Sequence, residues 1–309
     1  MRARRPTQFC RSWLFLNGAE EDTLEAAPRS GADVLIQELE DFTPPERRPE
    51  AHRLAAVIYP QWRRGDAVVG VRVNPLSLGG LEDLAAVMKG APDVVALPKV
   101  SEPEHVVELD RAVTSLEQQF GLAPGVTELL PNIELARGVM QTYAIASASP
   151  RVKACLLASE DLAADLGAER GRDGIELMYC RQRFLMECVA ANVMAIDFPH
   201  TWVDVGSLAE ETRVASRLGF KAKSAVHFDH VRVINDLLTP SKSDIALAEQ
   251  IVAAFEAAQG RGDARVEVGG SIVEVPIYAN AKRLLVRAQA LANVKTHLYG
   301  CDATDRSGK

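Results

Sequence analysis

With 309 residues, 47% of them hydrophobic, the chain has the apolar material for a sizeable core and the length for one large α/β barrel or two ordinary domains. A formal net charge of −7 and a pI of about 5.5 exclude a nucleic-acid surface as its main function. No apolar stretch is long enough to span a membrane, and the basic opening Met1-Arg-Ala-Arg-Arg is a poor signal peptide because Pro6, Gln8 and Arg11 interrupt any apolar core behind it.

Residues 13–16 read as a first short strand ending at Asn17-Gly18, followed by a helix over residues 20–27. A second strand, residues 34–36, ends in Glu38-Leu39-Glu40-Asp41, and Pro44-Pro45 opens a helix through about residue 57. The third strand, 67–73, carries Arg72 and Asn74 at its exit with Pro75 as terminator, and a helix covers 81–89. The fourth, 94–97, exits at Pro98-Lys99 into an amphipathic helix over 104–120. The fifth, 128–133, delivers Glu134, and a helix follows over 137–148. The sixth, 154–158, is an unbroken apolar run that ends in Ser159-Glu160-Asp161, and a long helix spans 175–191. The seventh, 193–196, ends at Asp197 before a helix over 208–218, and the eighth, 224–226, ends at His227.

About eight strand–helix units in roughly 230 residues predict a (β/α)8 TIM barrel rather than an open sheet. A doubly wound sheet would carry a glycine-rich phosphate loop after its first strand, and none is present. The barrel is assigned residues 1–240. Beyond it, residues 241–257 read as a helix, 266–268 and 272–275 as a β-hairpin on Gly269-Gly270, and 278–293 as a final helix. This helix–hairpin–helix appendage, residues 241–300, has too little apolar bulk to fold alone and is expected to pack on the barrel or on a neighbouring subunit. Residues 301–309 form a polar tail expected to be mobile. The five cysteines form no C-x-x-C pair and several sit in apolar runs, which points to a reducing cytoplasm.

The polar residues gather at strand exits: Glu38, Glu40, Asp41, Arg72, Asn74, Lys99, Glu134, Glu160, Asp161, Asp197 and His227. In such barrels the C-terminal strand face is where sites are built, and a ring of charge at one end points to an enzyme. If the fifth and sixth strands are neighbours, Glu134 and Asp161 face one pocket, and two convergent carboxylates suit a hard divalent cation such as Mg²⁺. The alternative is helix capping by Asp161 and solvation of Glu134. Arg72 suits bidentate capture of a carboxylate, or else a salt bridge to Glu38 or Glu40. Lys99, in an acidic ring, should be ion-paired and protonated, hence structural rather than a Schiff-base nucleophile. Asp197 is either pocket or cap. His227 reads as a metal ligand, a base or a satisfied core histidine, the last being favoured because Mg²⁺ prefers oxygen.

The chain resembles the citrate lyase β-subunit-like family of the HpcH/HpaI aldolase superfamily, which includes malyl-CoA and citramalyl-CoA lyases. The resemblance runs from Arg11 to about Ala288. It is carried by Arg11-Ser12-x-Leu14-Phe15, Leu39-Glu40-Asp41, Arg72-Val73-Asn74-Pro75, Leu97-Pro98-Lys99-Val100, Glu134, Asp161 with the following Leu-Ala-Ala-Asp-Leu-Gly167, Tyr179-Cys-Arg181, Gly219-Phe220-x-x-Lys223 and His227. The resemblance implies a Mg²⁺-dependent barrel, usually trimeric, that makes or breaks a C–C bond beside a thioester. It makes Glu134 and Asp161 the metal ligands, with Mn²⁺ able to substitute, and Glu40 and Asp41 partners of metal-bound water. It makes Arg72 the grip on the oxo-acid, supported by Asn74, and Glu274, where the family usually has Asp, the acid supplied by a neighbouring subunit's appendage. The sequence departs from the family pattern at Glu38, Asn17, Ala158, Phe228 and His230.

Three functions follow as expectations. The first is a Mg²⁺-dependent lyase that cleaves or forms a β-hydroxyacyl-CoA such as malyl-CoA, citramalyl-CoA or citryl-CoA, giving an oxo-acid and a shorter acyl-CoA. The second is an acyl-CoA thioesterase using the same metal site. The third is a citrate lyase β subunit acting in a complex. The expected partners are the acyl-CoA, the oxo-acid and copies of the chain itself, as a homotrimer or a dimer of trimers, with neither nucleic acid nor membrane.

Overall fold

The computed structural model describes residues 5–299; Cys301 and the tail 301–309 lie outside the described residues. Eight parallel strands close into a barrel in chain order: β1 Ser12–Asn17, β2 Val34–Glu38, β3 Val68–Arg72, β4 Val94–Leu97, β5 Glu128–Ile133, β6 Ala154–Leu157, β7 Met194–Asp197 and β8 Ala222–Ala225, which returns to β1. The helices are α1 Glu21–Ala26, α2 Arg48–Arg64, α3 Gly80–Val87, α4 Pro103–Phe120, α5 Ala136–Met140, α6 Thr142–Ala146, α7 Glu160–Leu166, α8 Met178–Ala190, α9 Val205–Leu218 and α10 Phe228–Leu237. This is the TIM barrel that the alternating pattern predicts.

The strands are largely apolar because both faces are buried. Trp13, Phe15, Val34, Ile36, Leu130 and Leu156 fill the interior, while Leu14, Leu16, Leu35, Val71, Leu129 and Ile133 face the helices. Odd and even positions therefore have different fates, and this decides which exit residues reach the mouth. On β2 and β3 the inward series ends in Glu38 and Arg72, paired in register. On β7, Ile196 is the inward residue, so Asp197 turns outward toward the helices.

Several elements differ from the sequence reading. The helix expected over 137–148 is broken at Gln141, which leaves helical geometry and donates through Nε2 to Ser101 O at 3.0 Å. Just before the break, Gly138 packs so closely that a Cβ would sit 2.4 Å from Val100 O. Strand β8 lies two residues earlier at its start than expected, and α10 is absent from the sequence reading. Its first turn, Phe228 to His230, directly follows a polar strand exit with no capping side chain to announce it.

The chain divides into two compact units between Leu238 and Thr239. The second contains α11 Lys242–Gly260, β9 Val266–Val268, β10 Ser271–Val273 and α12 Val275–Tyr299. A capping box between Ser241 and Asp244 starts α11. The hairpin turns on Gly269 and Gly270, whose φ of 57° and 79° suit the primed turn that two-residue hairpins favour. Phe255 stacks on Tyr278 at 4.8 Å, tying α11 to α12. No described helix is long and apolar enough to cross a membrane.

Candidate metal and substrate site

The exit of β2 organises one side of the mouth. Glu38, fully buried, accepts from the backbone N–H of Glu40 at 2.6 Å and of Phe42 at 2.5 Å, and from Arg72 Nε at 2.9 Å. Its carboxylate thus folds the acidic loop over itself and fixes one edge of the guanidinium. The other two nitrogens of Arg72 are held more loosely, at 3.4 Å from Glu40 Oε2 and 3.4 Å from Asp41 Oδ2. Phe15 and Phe42 stand within 5.6 Å and 5.7 Å of the guanidinium carbon. Burial works against the Arg72 charge, yet Glu38, Glu40, Glu134 and Asp41 together hold its pKa above the ordinary arginine value. The salt-bridged arrangement that the sequence allows for Arg72 is therefore present in the protein without ligand. Asn74 is equally buried, and its amide donates to Leu39 O at 2.9 Å and Asp83 Oδ2 at 2.8 Å. It ties the exits of β2 and β3 together, with Asp83 bonded in turn to His52 Nε2 at 2.7 Å. Asp83 is a positioning partner that the sequence reading misses, since a first-turn helical Asp has many ordinary explanations.

Across the mouth stand the exits of β4, β5 and β6. Lys99 adopts a left-handed backbone (φ 54°), unusual for a side-chain-bearing residue, and its N–H bonds Glu134 Oε1. Its ammonium pairs with Glu40 and lies 3.7 Å from Asp41. Burial opposes the charge, but Glu40, Asp41 and Asp161 raise the Lys99 pKa, so the residue is a protonated ion-pair partner as expected. Asp161 is half-buried in the first turn of α7. Asp165, one turn further on, accepts from Ala136 N at 2.7 Å and so ties α7 to the loop after Glu134. Glu160 is exposed and bonds Arg170 and Thr201, both at 3.1 Å.

Glu134 is the least satisfied group of this ring. It is fully buried, and its Oε2 has no hydrogen-bond partner. Burial first, and then the carboxylates of Glu40 and Asp161, push its pKa up to about 8 against the pull of Arg72. Glu40 is also shifted upward, chiefly by burial, and its Oε2 is likewise buried without a hydrogen bond. A cation would relieve all three effects, so these donors fit a hard divalent ion. Among the described residues no three His, Cys, Asp or Glu side chains converge to hold a metal by themselves. Glu134 and Asp161 are oxygen donors of the kind Mg²⁺ takes, and they are the residues that would hold it.

Two predicted positions lie elsewhere. Asp197 is neither pocket nor cap. It points into the strand–helix layer, held by Arg181 at 2.8 Å and 2.7 Å and by Lys223 at 2.7 Å. Lys223 also lies 3.2 Å from Glu211, which bonds His200 Nδ1 at 2.9 Å. Glu274 is exposed in the second unit, just after β10, and its carbonyl accepts the first bonds of α12 from Ile277 and Tyr278. The hairpin alternation expected through Val275 stops at Val273 because the helix begins at Val275. His227 precedes α10 half-buried, its ring 4.8 Å from that of His230.

Fold and site together define a (β/α)8 barrel with an acidic, cation-seeking mouth built around one buried arginine. The model of the HpcH/HpaI aldolase/citrate lyase family matches residues 11–228, and the chain belongs to that family. It is 32% identical to the citrate lyase subunit beta of Haemophilus influenzae over 91% of this chain and 97% of that protein. It is 29% identical to the (3S)-malyl-CoA thioesterase of Cereibacter sphaeroides over 91% of this chain and 95% of that one. Among solved structures, protein CitE from Mycobacterium tuberculosis in complex with magnesium, acetoacetate and coenzyme A superposes with a TM-score of 0.74 at 26% identity, covering 91% of this chain and 99% of that chain.

Proposed function

We propose that this protein is a Mg²⁺-dependent carbon–carbon lyase acting on a β-hydroxyacyl-CoA such as malyl-CoA, citramalyl-CoA or citryl-CoA, in the cleaving or the forming direction. The observation that carries the reading is the buried Glu134, with one oxygen unpartnered, set in an acidic ring beside Arg72. A citrate lyase subunit among the relatives and a neighbour crystallised with magnesium and coenzyme A support it. Glu134 and Asp161 would hold the cation, with Glu40 and Asp41 as acidic neighbours beside it. The bound cation would draw electron density from the oxo-acid oxygens and lower the energy of the developing alkoxide.

Cleavage breaks the C–C bond once the β-hydroxyl gives its proton to water at the mouth, which passes it to solvent. The bonding pair moves to the thioester as an enolate, and the former carbinol carbon leaves as the oxo-acid carbonyl. Arg72, oriented by Glu38, presents Nη1 and Nη2 to the oxo-acid carboxylate and exchanges its loose contacts to Glu40 and Asp41 for a bidentate one. Asn74 supports Arg72 by fixing the backbone on either side. Phe15 and Phe42 cover the guanidinium and keep water from competing. Glu274 of a second copy supplies the proton to the enolate carbon; its exposure at the head of α12 suits delivery to another chain's mouth. This reading carries with it a homotrimer or a dimer of trimers and a cytoplasmic setting.

A second reading, acyl-CoA thioesterase action at the same site, is favoured by the malyl-CoA thioesterase among the relatives. A panel of acyl-CoA esters, followed for oxo-acid and for free thiol, separates the two. The lyase yields oxo-acid and a shorter acyl-CoA, and the thioesterase yields free CoA. Full activity in excess EDTA would overturn both.

A further inference from the structure

Asn132 lies on the interior face of β5. Leu130, two residues before it, belongs to the barrel interior, and Glu134, two residues after it, to the mouth, whereas Leu129 and Ile133 face the helices. The side chain is fully buried, and neither Oδ1 nor Nδ2 has a hydrogen-bond partner. The apolar residues of the barrel interior begin at Leu130, two residues before it on the same face, so a leucine of similar shape would continue that series without stranding an amide. A buried amide with both ends open calls for a partner that is not a protein group.

The next inward residue along the strand is Glu134, whose Oε2 is an open acceptor. Successive inward residues of a strand have Cα atoms roughly 6.6 Å apart, and one water bridges side-chain ends up to about 5.6 Å apart through two hydrogen bonds of about 2.8 Å each, so an amide and a carboxylate that lean toward one another come within its reach. We propose that Asn132 is a positioning residue for the cation site: its amide holds a buried water against Glu134 and so aims that carboxylate at the cation. The inference rests on Glu134 being a metal ligand, as proposed above.

The test compares the full chain with N132L, N132A, N132S and E134Q, reading two quantities for each: the Tm of the metal-free protein, and Mn²⁺ affinity from the free-ion EPR signal. In N132L the amide is gone, so the metal-free Tm should rise by about 2–4 °C, while the Mn²⁺ Kd should increase about 10-fold or more. Higher stability with weaker metal binding is a pairing that a merely structural asparagine does not give. N132S, which keeps a group able to hold the water, should bind Mn²⁺ more tightly than N132A. If E134Q loses Mn²⁺ while N132L keeps wild-type affinity, the inference fails and the metal reading stands. If E134Q also keeps wild-type affinity, both fail. Should N132L not fold, equal Mn²⁺ affinities in N132S and N132A would overturn the inference.

Discussion

The two sides of the barrel use the same residue types to opposite ends. At the exits of β2 to β6, the carboxylates of Glu38, Glu40, Asp41, Glu134 and Asp161 share, among the described residues, Arg72 and Lys99. In the layer behind β7 and β8, Asp197 and Glu211 are matched by Arg181 and Lys223. Both groups are buried, yet Glu134 is pushed up to about 8 by burial and by neighbouring carboxylates. Burial acts upward on Glu211 as well, but Lys223, His200 and Arg181 overcome it and bring it down to about 2. Burial alone therefore does not mark a functional carboxylate. The mark is buried negative charge that the protein leaves unbalanced.

The comparison is broken most severely at Glu134. E134Q should lower turnover on the order of 10³-fold, about 4 kcal/mol, because on the proposed reading the cation would lose a ligand. The same change should leave the fold intact or raise its Tm, since a neutral amide replaces a buried carboxyl whose ionisation burial and its acidic neighbours oppose; steady-state kinetics beside thermal unfolding checks both. In the balanced layer, D197N should do the reverse. It leaves Arg181 and Lys223 facing Glu211 alone, and denaturant titration should show a loss of roughly 3–5 kcal/mol of stability. An effect of equal size on stability from both variants would dissolve the distinction.

R72K keeps the charge but not the fork, and Nε can no longer be held by Glu38 while two nitrogens face substrate. Turnover should fall roughly 10²-fold with the unfolding curve unchanged. Wild-type kcat/KM in this variant would make Arg72 a salt bridge only. The smallest effect is a pH dependence of the balanced side. Glu211 has a folded pKa below the ordinary 4.5, so its contribution to stability is complete above about 4.5 and is lost as the pH falls toward about 2. Unfolding free energies measured at pH 7 and below 3 should therefore lie closer together in E211Q than in the wild type. Glu117, held down to about 2 by Arg151 and two backbone N–H groups against burial, titrates over the same window, so E211Q should flatten the acid limb only in part.

The barrel was legible in the sequence because the signal is local. Short apolar runs, each followed by a helix with its own apolar stripe, specify a parallel sheet buried on both faces. The acidic ring was legible because each member follows a strand, and strand ends share one face in a parallel barrel. The hairpin on Gly269-Gly270 was legible for the same reason, a positive-φ turn that glycine satisfies. Helix α10 was not, because nothing in the local sequence separates its first turn from the exit loop before it.

What the sequence determined by itself was thus which elements form and which end of the barrel carries the charge. Which charged residue faces the mouth was decided by the tertiary structure. Asp197 and Glu38 both close a strand, but the side-chain alternation set by the rest of each strand turns one outward onto Arg181 and the other inward onto Arg72. The shortage of positive charge around Glu134, the left-handed turn at Lys99 that supplies its one hydrogen bond, and the open amide of Asn132 below it are likewise sums over several strands. No local segment contains them, because an electrostatic balance depends on distances that exist only once the barrel has closed.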